Sequence, residues 1–347
     1  MSNRDLLLTW IVRAVATCAV SAPVLAQGGL LDLGTLPNDL SGSGLVVSAD
    51  GNTVAGSSEQ KAVRWTSTGG IQDLGLAGAD RAFVYGMSQD GDVVVGSLAA
   101  PGYQHPFRWD TATGMQDLGV PFGTHGRLSA CNADGSVLTG EIEGHAVRWT
   151  SAVGFQSLGD IGSWFSKANA VSPDGSVIVG YAFDVAGRRR AFRWTLTTGM
   201  VDLGSIPGVD FGYSAYALSA DGSVIVGHMS NNTSSTRSFC WTAAAGLHDL
   251  GDLGGAATFV TKCSSDGRIV LGRSYDASGR VCAFVWTEAT GMQPLGSGPS
   301  ACDKTVWDCS ADGTVVVGNL LHAGTSDPHR PFRWTLARGY EDLGTLG

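Results

Sequence analysis

Short apolar runs alternate with tight polar turns along this chain, and the alternation repeats over a long period. Residues 166–204 show one period: SKANAVSPDGSVIVGYAFDVAGRRRAFRWTLTTGMVDLG. Ala168–Ser172 reads as a short strand. Pro173-Asp174-Gly175-Ser176 reads as a tight turn, in which glycine adopts positive φ without steric cost. Val177-Ile178-Val179 is β-branched and reads as a buried strand. After a loop, Ala191–Thr195 gives a third strand with Phe192 and Trp194 on one face. A turn around Thr198-Gly199 leads into a fourth strand, Met200–Leu203. The unit is four antiparallel strands, A to D, joined by hairpins.

Three markers carry the period. An Asp-Gly pair recurs at Asp50, Asp90, Asp134, Asp174, Asp221, Asp266 and Asp312, at spacings of 40, 44, 40, 47, 45 and 46 residues. A tryptophan recurs at Trp65, Trp109, Trp149, Trp194, Trp241, Trp286 and Trp334. A Leu-Gly pair, usually Asp-Leu-Gly, closes each unit. The units run approximately over 35–75, 76–119, 120–159, 160–204, 205–251, 252–296 and 297–344. One four-stranded sheet cannot bury both faces alone, whereas seven arranged radially bury each other. The expected fold is all-β: residues 27–347 form a single seven-bladed β-propeller of four-stranded antiparallel blades.

The length and strand order resemble a WD-type blade, but the Trp-Asp dipeptide occurs in phase only at Trp109-Asp110. The segments AFRWT, HPFRW, HAVRW and PFRWT, followed by GMxDLG and VSxDGxVVVG, are more similar to the HAF family of bacterial extracellular repeat proteins. The resemblance covers residues 30–347. The His of that motif stands at His105 and His145, with Arg190 or Pro331 among its substitutes. The resemblance implies export and a repeat fold, and names no activity.

Composition agrees with short strands and many turns. Glycine contributes 50 of 347 residues, about twice the ordinary ~7%, and only 15% are charged. Residues 1–26 read as a signal peptide: Arg4, an apolar stretch from Leu6 to Val24, then Val24-Leu25-Ala26 before Gln27. Arg13 and Pro23 interrupt that stretch and argue against a membrane anchor. The net charge is −9, and Arg4, Arg13 and Asp5 put +1 of it in the leader, so the mature chain stands at −10. That balance opposes nucleic acid and anionic membrane surfaces, which attract a basic face. Arg188-Arg189-Arg190 reads as a solvated loop. No cofactor or metal is expected.

Repeated residues are expected to serve the blade: the seven tryptophans as inter-blade core, the Asp-Gly pairs as turns. Arg64, Arg108, Arg193 and Arg333 each precede a Trp and stand nine residues before Asp73, Asp117, Asp202 or Asp342. A four-residue C–D loop would set each Arg directly opposite its Asp, as a cross-strand ion pair. Leu30–Leu33 looks like an extra D strand. It could close the ring at the outer edge of the last blade or compete there with Tyr340–Leu343.

Function is expected where the repeats differ. A–B and C–D turns share one face and are short and repetitive. B–C and D–A loops share the other and vary in length and content, which marks a binding face. The candidate contact residues there are Trp164, Phe165, Tyr181, Tyr213, Tyr275 and Trp307, since exposed aromatics near Asp and Asn suit stacking on sugar rings. Glu141, Glu143 and His145 form the shortest B–C connection and read as a polar turn. His322, Asp327 and His329 match no closed zinc site. GxSxG, HExxH, a phosphate loop and the sialidase-type Asp box are all missing. Cys282 and Cys302 belong to neighbouring blades on the variable face and form a candidate disulfide. Cys131, Cys263 and Cys309 read as small apolar residues. The expected role is a secreted or cell-envelope binding or scaffold module for polysaccharide or protein. A polysaccharide-cleaving propeller using carboxylates such as Glu141, Asp160, Asp210, Asp252 or Asp303 is the alternative. A purely structural surface repeat is another.

Overall fold

The computed structural model describes residues 31–207, 212–230, 236–296, 304–321, 329–335 and 337–343. The expected leader lies outside them. Among the described residues are twenty-eight strands, β1 to β28 in chain order. No helix there is long and apolar enough to cross a membrane. Hydrogen bonding gathers the strands into six sheets. Five have four strands each, antiparallel and in hairpin order. The sixth has eight: two groups of four, one from Gly212–Leu218 to Gly246–Asp249 and one from Gly254–Cys263 to Gly291–Pro294, repeat the same order and are joined by one parallel bridge, Thr236 to Ala257.

The unit read from residues 166–204 is one such sheet. Its strands are β13 (Gly162–Val171), β14 (Ile178–Asp184), β15 (Arg189–Thr195) and β16 (Gly199–Asp202). The first strands of the successive groups are β1 (Gly42–Val47), β5 (Arg81–Met87), β9 (Gly126–Cys131), β13, β17 (Gly212–Leu218), β21 (Gly254–Cys263) and β25 (Lys304–Cys309). Each packs beside the next. Apolar clusters fill the spaces between consecutive groups. Ala55 and Ala62 meet Phe107 and Trp109, Val137 and Ala146 meet Phe192 and Trp194, and Ala217 and Val226 meet Phe284 and Trp286. Among the described residues no such cluster joins the last group to the first. Phe107, Phe192, Phe239, Phe284 and Phe332, two positions before the tryptophans, are fully buried. Trp109, Trp194 and Trp286 are buried, while Trp65, Trp149, Trp241 and Trp334 are partly so.

The Asp-Gly turns hold together through a residue two places earlier. Ser172 is fully buried; its Oγ donates to Asp174 Oδ1 at 2.5 Å and accepts from Val177 N at 2.9 Å. Ser48, Ser88, Ser219, Ser264 and Ser310 do the same in their turns, and Asn132 supplies the acceptor in its own. These turns are also stitched to each other. Ala49 N donates to Gln89 O, Gln89 N to Ala133 O, and Ala133 N to Pro173 O; Ala220 N donates to Ser265 O and Ser265 N to Ala311 O. Pro173 has no N–H to pass the chain onward. This face is therefore given over to backbone pairing between units.

The expected Arg–Asp pairs are corrected by register. Thr66 pairs with Gly70, so three residues, not four, turn the C–D hairpin, and Arg64 faces Gln72. The same slip sets Arg108 opposite Gln116, Arg193 opposite Val201 and Arg333 opposite Glu341. A one-residue shift turns every side chain to the other face. The arginines act elsewhere: Arg64 Nε donates to Gly91 O at 2.8 Å and Arg193 Nε to Gly222 O at 3.3 Å, each on the Asp-Gly turn of the next unit. The Asp of Asp-Leu-Gly pairs with an Arg or His two positions before the buried Phe. His105–Asp117 lies at 3.0 Å, Arg190–Asp202 at 3.9 Å, Arg237–Asp249 at 2.9 Å and Arg330–Asp342 at 3.2 Å. Arg330, not Pro331, thus takes the place of the motif's His in the last unit. The N-terminal segment is also corrected: residues 31–35 form no strand, and β28 (Gly339–Asp342) closes its own sheet against β27 (His329–Thr335).

Candidate functional site

Every first strand carries a β-bulge at the same place. The extra residue is Leu45 in β1, Tyr85 in β5, Ser129 in β9 and Asn169 in β13. It is Tyr216 in β17, Thr261 in β21 and Trp307 in β25. A bulge re-aims the side chain it carries. Four of these residues are large, and Leu45, Tyr85, Tyr216 and Trp307 are 48%, 39%, 41% and 40% exposed. Large side chains so exposed at four of seven equivalent positions are not filling the sheet interfaces.

On one side these positions enclose a recess. Tyr85, Ser129, Asn169 and Tyr216 line it with Arg127 and Lys167, all from first strands, around a volume of ≈ 230 Å³. Arg127 Nε donates to Glu141 Oε1 at 2.6 Å. Lys167 has no carboxylate within ion-pair distance among the described residues. Burial first, then Arg127, holds its ammonium below the ordinary lysine value. Asn169 Nδ2 donates to Ala215 O at 2.8 Å and ties β13 to β17. Further along, Tyr216 stacks against His228 at 4.6 Å, and burial lowers the imidazole to about 4, leaving it neutral. Arg273 lies over Phe259 at 4.8 Å, and Arg189 over Tyr181 at 5.7 Å.

Beside the recess the rings of Phe122, His145, Trp164, Phe165, Tyr181 and Phe183 form one cluster. Trp164 is 6.2 Å from His145 and 5.8 Å from Phe165 between ring centres; Phe165 is 6.3 Å from Tyr181 and 5.6 Å from Phe183. Phe122 meets His145 edge-on at 5.7 Å. The cluster depends on the shortest B–C connection. Glu143 and Gly144 form a two-residue turn with φ 48 and 76. A Cβ on Gly144 would stand 2.8 Å from the Phe165 ring, so glycine lets the rings close over the turn.

Comparison with known proteins bears on the fold alone. No family model and no curated protein matches the sequence. Among solved structures, a prolyl endopeptidase superposes with TM-score 0.58 and 11% identity, over 86% of this chain and 48% of that one. The tricorn protease gives TM-score 0.57 and 11% identity, over 86% and 34%. Prolyl oligopeptidase B from Galerina marginata gives 0.56 and 13%, over 84% and 48%. This chain folds as a β-propeller. It spans about half or less of these proteins' lengths, and the likeness extends to the propeller architecture.

In a propeller the blades surround a central channel; the first strands here pack against one another, and four of their bulge residues line the shared recess. The sequence-selected residues divide accordingly. Trp164, 67% exposed, and half-buried Phe165 and Tyr181 come together at the channel rim. Trp307 belongs to the bulge positions. Half-buried Tyr275, on β22 (Val270–Asp276), stands where Phe183 stands in its own blade and lies apart from the cluster. Tyr213 is a correction: it is fully buried, its ring meets Phe239 edge-on at 5.9 Å, and its hydroxyl accepts from Ile206 N at 3.1 Å. Its alternation along β17 turns it into the sheet interface. Tyr85, Tyr216, Arg127 and Lys167 went unselected, although each sits three or five positions before the Ser or Asn of the Asp-Gly turn.

The carboxylates considered for chemistry are engaged otherwise. Glu143 accepts from Thr124 N and His125 N, and Asp160 accepts from Gly162 N. Asp252 accepts from Gly254 N and meets Arg237 at 3.3 Å. Asp210, Asp303, His322 and Asp327 lie outside the described residues, as does the side chain of His329. Among the described residues no three His, Cys, Asp or Glu side chains converge as a metal site. Cys282 is disulfide-bonded, and Cys302 lies outside the described residues. Cys131, Cys240, Cys263 and Cys309 are free, and burial raises Cys240 to about 11 and the other three to about 12. Such thiols stay protonated and behave as small apolar groups.

Proposed function

We propose that the chain is an exported, seven-bladed propeller of the HAF type that binds polysaccharide at its B–C/D–A face without cleaving it. Seven recurrences of one bulge and one hairpin order support seven blades, the eight-stranded sheet counting as two. The observation that carries the ligand assignment is Trp164, 67% exposed at the edge of a preassembled aromatic cluster. An aromatic so exposed but fixed by neighbouring rings offers a flat apolar surface at little entropic cost, with nearby polar groups for hydroxyls. The opposite face is taken up by backbone stitching between turns, and among the described residues it carries no comparable cluster of rings.

The test is binding of residues 27–347 to a broad glycan panel by glycan array and calorimetry, with a Trp164→Ala variant. A central Trp anchor is worth about 2 kcal/mol or more, so the variant is expected to lose roughly thirtyfold in affinity while its melting is unchanged. Degradation of a panel member would replace this reading with an enzymatic one. Absence of binding across the panel would refute it.

A further inference from the structure

We infer that the channel recess lined by Tyr85, Arg127, Ser129, Lys167, Asn169 and Tyr216 takes the anionic group of an acidic sugar unit. This rests on the glycan reading and deepens it from polysaccharide to anionic polysaccharide.

Four features support the assignment. The first is sign. The chain carries −9 overall, yet Lys167 and Arg127 line the recess, and Arg189 and Arg273 lie in electrostatic reach of His228 beside Tyr216. Arg127 is held by Glu141, whereas Arg189 donates to the Ser230 hydroxyl at 2.7 Å and Arg273 lies over an aromatic ring. Lys167 faces Arg127, with the engaged Glu141 as the carboxylate in electrostatic reach. Positive charge concentrated in a concave site of an acidic protein attracts and orients an anion. The second is size. The recess of ≈ 230 Å³ falls below the ~300–1,000 Å³ typical of drug-sized sites, so it suits one sugar unit and not a chain.

The third is chemistry. Two tyrosines supply flat faces, while Ser129 and Asn169 supply hydroxyl and amide groups for ring hydroxyls. The fourth is continuity with the rim. Phe165 and Lys167 are two positions apart on β13, on the same side of the strand and ~6.6 Å apart along it. A chain stacked on Trp164 and Phe165 would set its next unit over the recess, with its acid toward Lys167. Anion binding would also reverse the depression of the Lys167 ammonium, since an opposite charge favours the charged form.

The experiment is isothermal titration calorimetry of residues 27–347 with three disaccharides: an unsubstituted one, one bearing uronic acid, and one bearing sulfate. Wild type is compared with Lys167→Met, Lys167→Arg and Trp164→Ala. The expected result is binding of the uronate or the sulfated sugar at least tenfold tighter than the neutral one. The preferred acid identifies the anion's source. Lys167→Met is expected to lose about thirtyfold for the acidic ligand alone, as for truncation of a desolvated charge pair, whereas Lys167→Arg keeps most of the affinity. Retained binding by Lys167→Arg separates loss of charge from loss of fold. Equal binding of neutral and acidic sugars, lost in Trp164→Ala and untouched by Lys167→Met, would overturn the recess assignment and leave the glycan reading standing. No binding of any sugar would overturn both.

Discussion

Replacing Ser172 by alanine should destabilise the fourth blade by a magnitude the turn itself sets. The side chain is fully buried and serves two partners: it donates to the Asp174 carboxylate and accepts from the Val177 amide. A hydrogen bond to a charged group is worth about 1.5–3 kcal/mol, and stranding a buried N–H costs about 1–3 kcal/mol. The two are not independent, and the Asp can turn to water, so the expected loss is about 2–4 kcal/mol. The third blade provides the control, because Asn132 occupies the same place and its Oδ1 accepts from Val137 N at 2.9 Å. Ser172→Asn should therefore cost less than half as much as Ser172→Ala. Urea unfolding gives the global value, and hydrogen exchange at the Val177 amide gives the local one, which matters because repeat arrays open unit by unit. A Ser172→Ala variant within about 0.5 kcal/mol of wild type, or a Ser172→Asn variant equally damaged, would refute the account of the turn.

The same turns predict acid sensitivity. Hydrogen bonds from Ser48 and Ser219 lead the causes that lower Asp50 and Asp221 to about 2. A carboxylate lowered on folding stabilises above its unfolded value near 4, and that stability is lost as pH falls toward 2. Melting temperature should drop across that window, and less steeply in Asp221→Asn; parallel slopes would exclude the turn as the cause. Arg64→Met removes the donor to Gly91 O and the cation over the Trp109 ring, 5.6 Å away. It should cost about 1–2 kcal/mol, and Arg64→Lys should not restore it, since the geometry needs the guanidinium plane. Denaturation of the three proteins in parallel decides this, and full rescue by lysine would count against the clamp. Peptide mapping without reduction should yield Cys282 joined to Cys302; alkylation of both as free thiols would end that pairing.

Strand order and turn positions were legible in the sequence because they rest on local chemistry. Asp-Gly fixes a turn, a β-branched triplet fixes a strand, and an alternating Phe-Arg-Trp fixes a face. Register was less legible. Whether three or four residues close the C–D hairpin is settled by one glycine, Gly70 at φ 66, and that decides whether Arg64 meets Asp73 or the next blade. Burial of Tyr213 was hidden for a similar reason. β17 begins at Gly212, and strand alternation along it turns the Tyr213 ring inward. Trp164 stands out because it breaks the repeat: Ala256 holds the same place in β21 of the sixth unit.

The channel positions were missed, yet a signal for them stands in every unit: the glycine that follows the apolar start of the second strand, as in Val-Val-Val-Gly at Gly96 and Val-Ile-Val-Gly at Gly180. At Gly56, Gly96, Gly140, Gly180, Gly227, Gly272 and Gly318 a Cβ would collide with a carbonyl of the facing first strand, that of Ser43, Phe83, Arg127, Lys167, Ser214, Phe259 and Thr305. Each carbonyl lies two residues before a bulge. The bulge swings the first strand over its partner, and only glycine lets the two backbones approach so closely. A glycine recurring inside an apolar strand therefore marks a bulge in the neighbouring strand, and the bulge marks the residue turned toward the axis. Read this way, the seven glycines select Leu45, Tyr85, Ser129, Asn169, Tyr216, Thr261 and Trp307 without any structure. The frame around these residues is uniform while their chemistry is not. A position held by the same backbone geometry in every blade, yet filled by six residue types in seven, is only lightly constrained by the frame, although Asn169 and Thr261 there also donate to a carbonyl of the next first strand. That is why ligand recognition is assigned to the axis and its rim and not to the repeated Asp-Gly turns, whose residues are all bonded to each other.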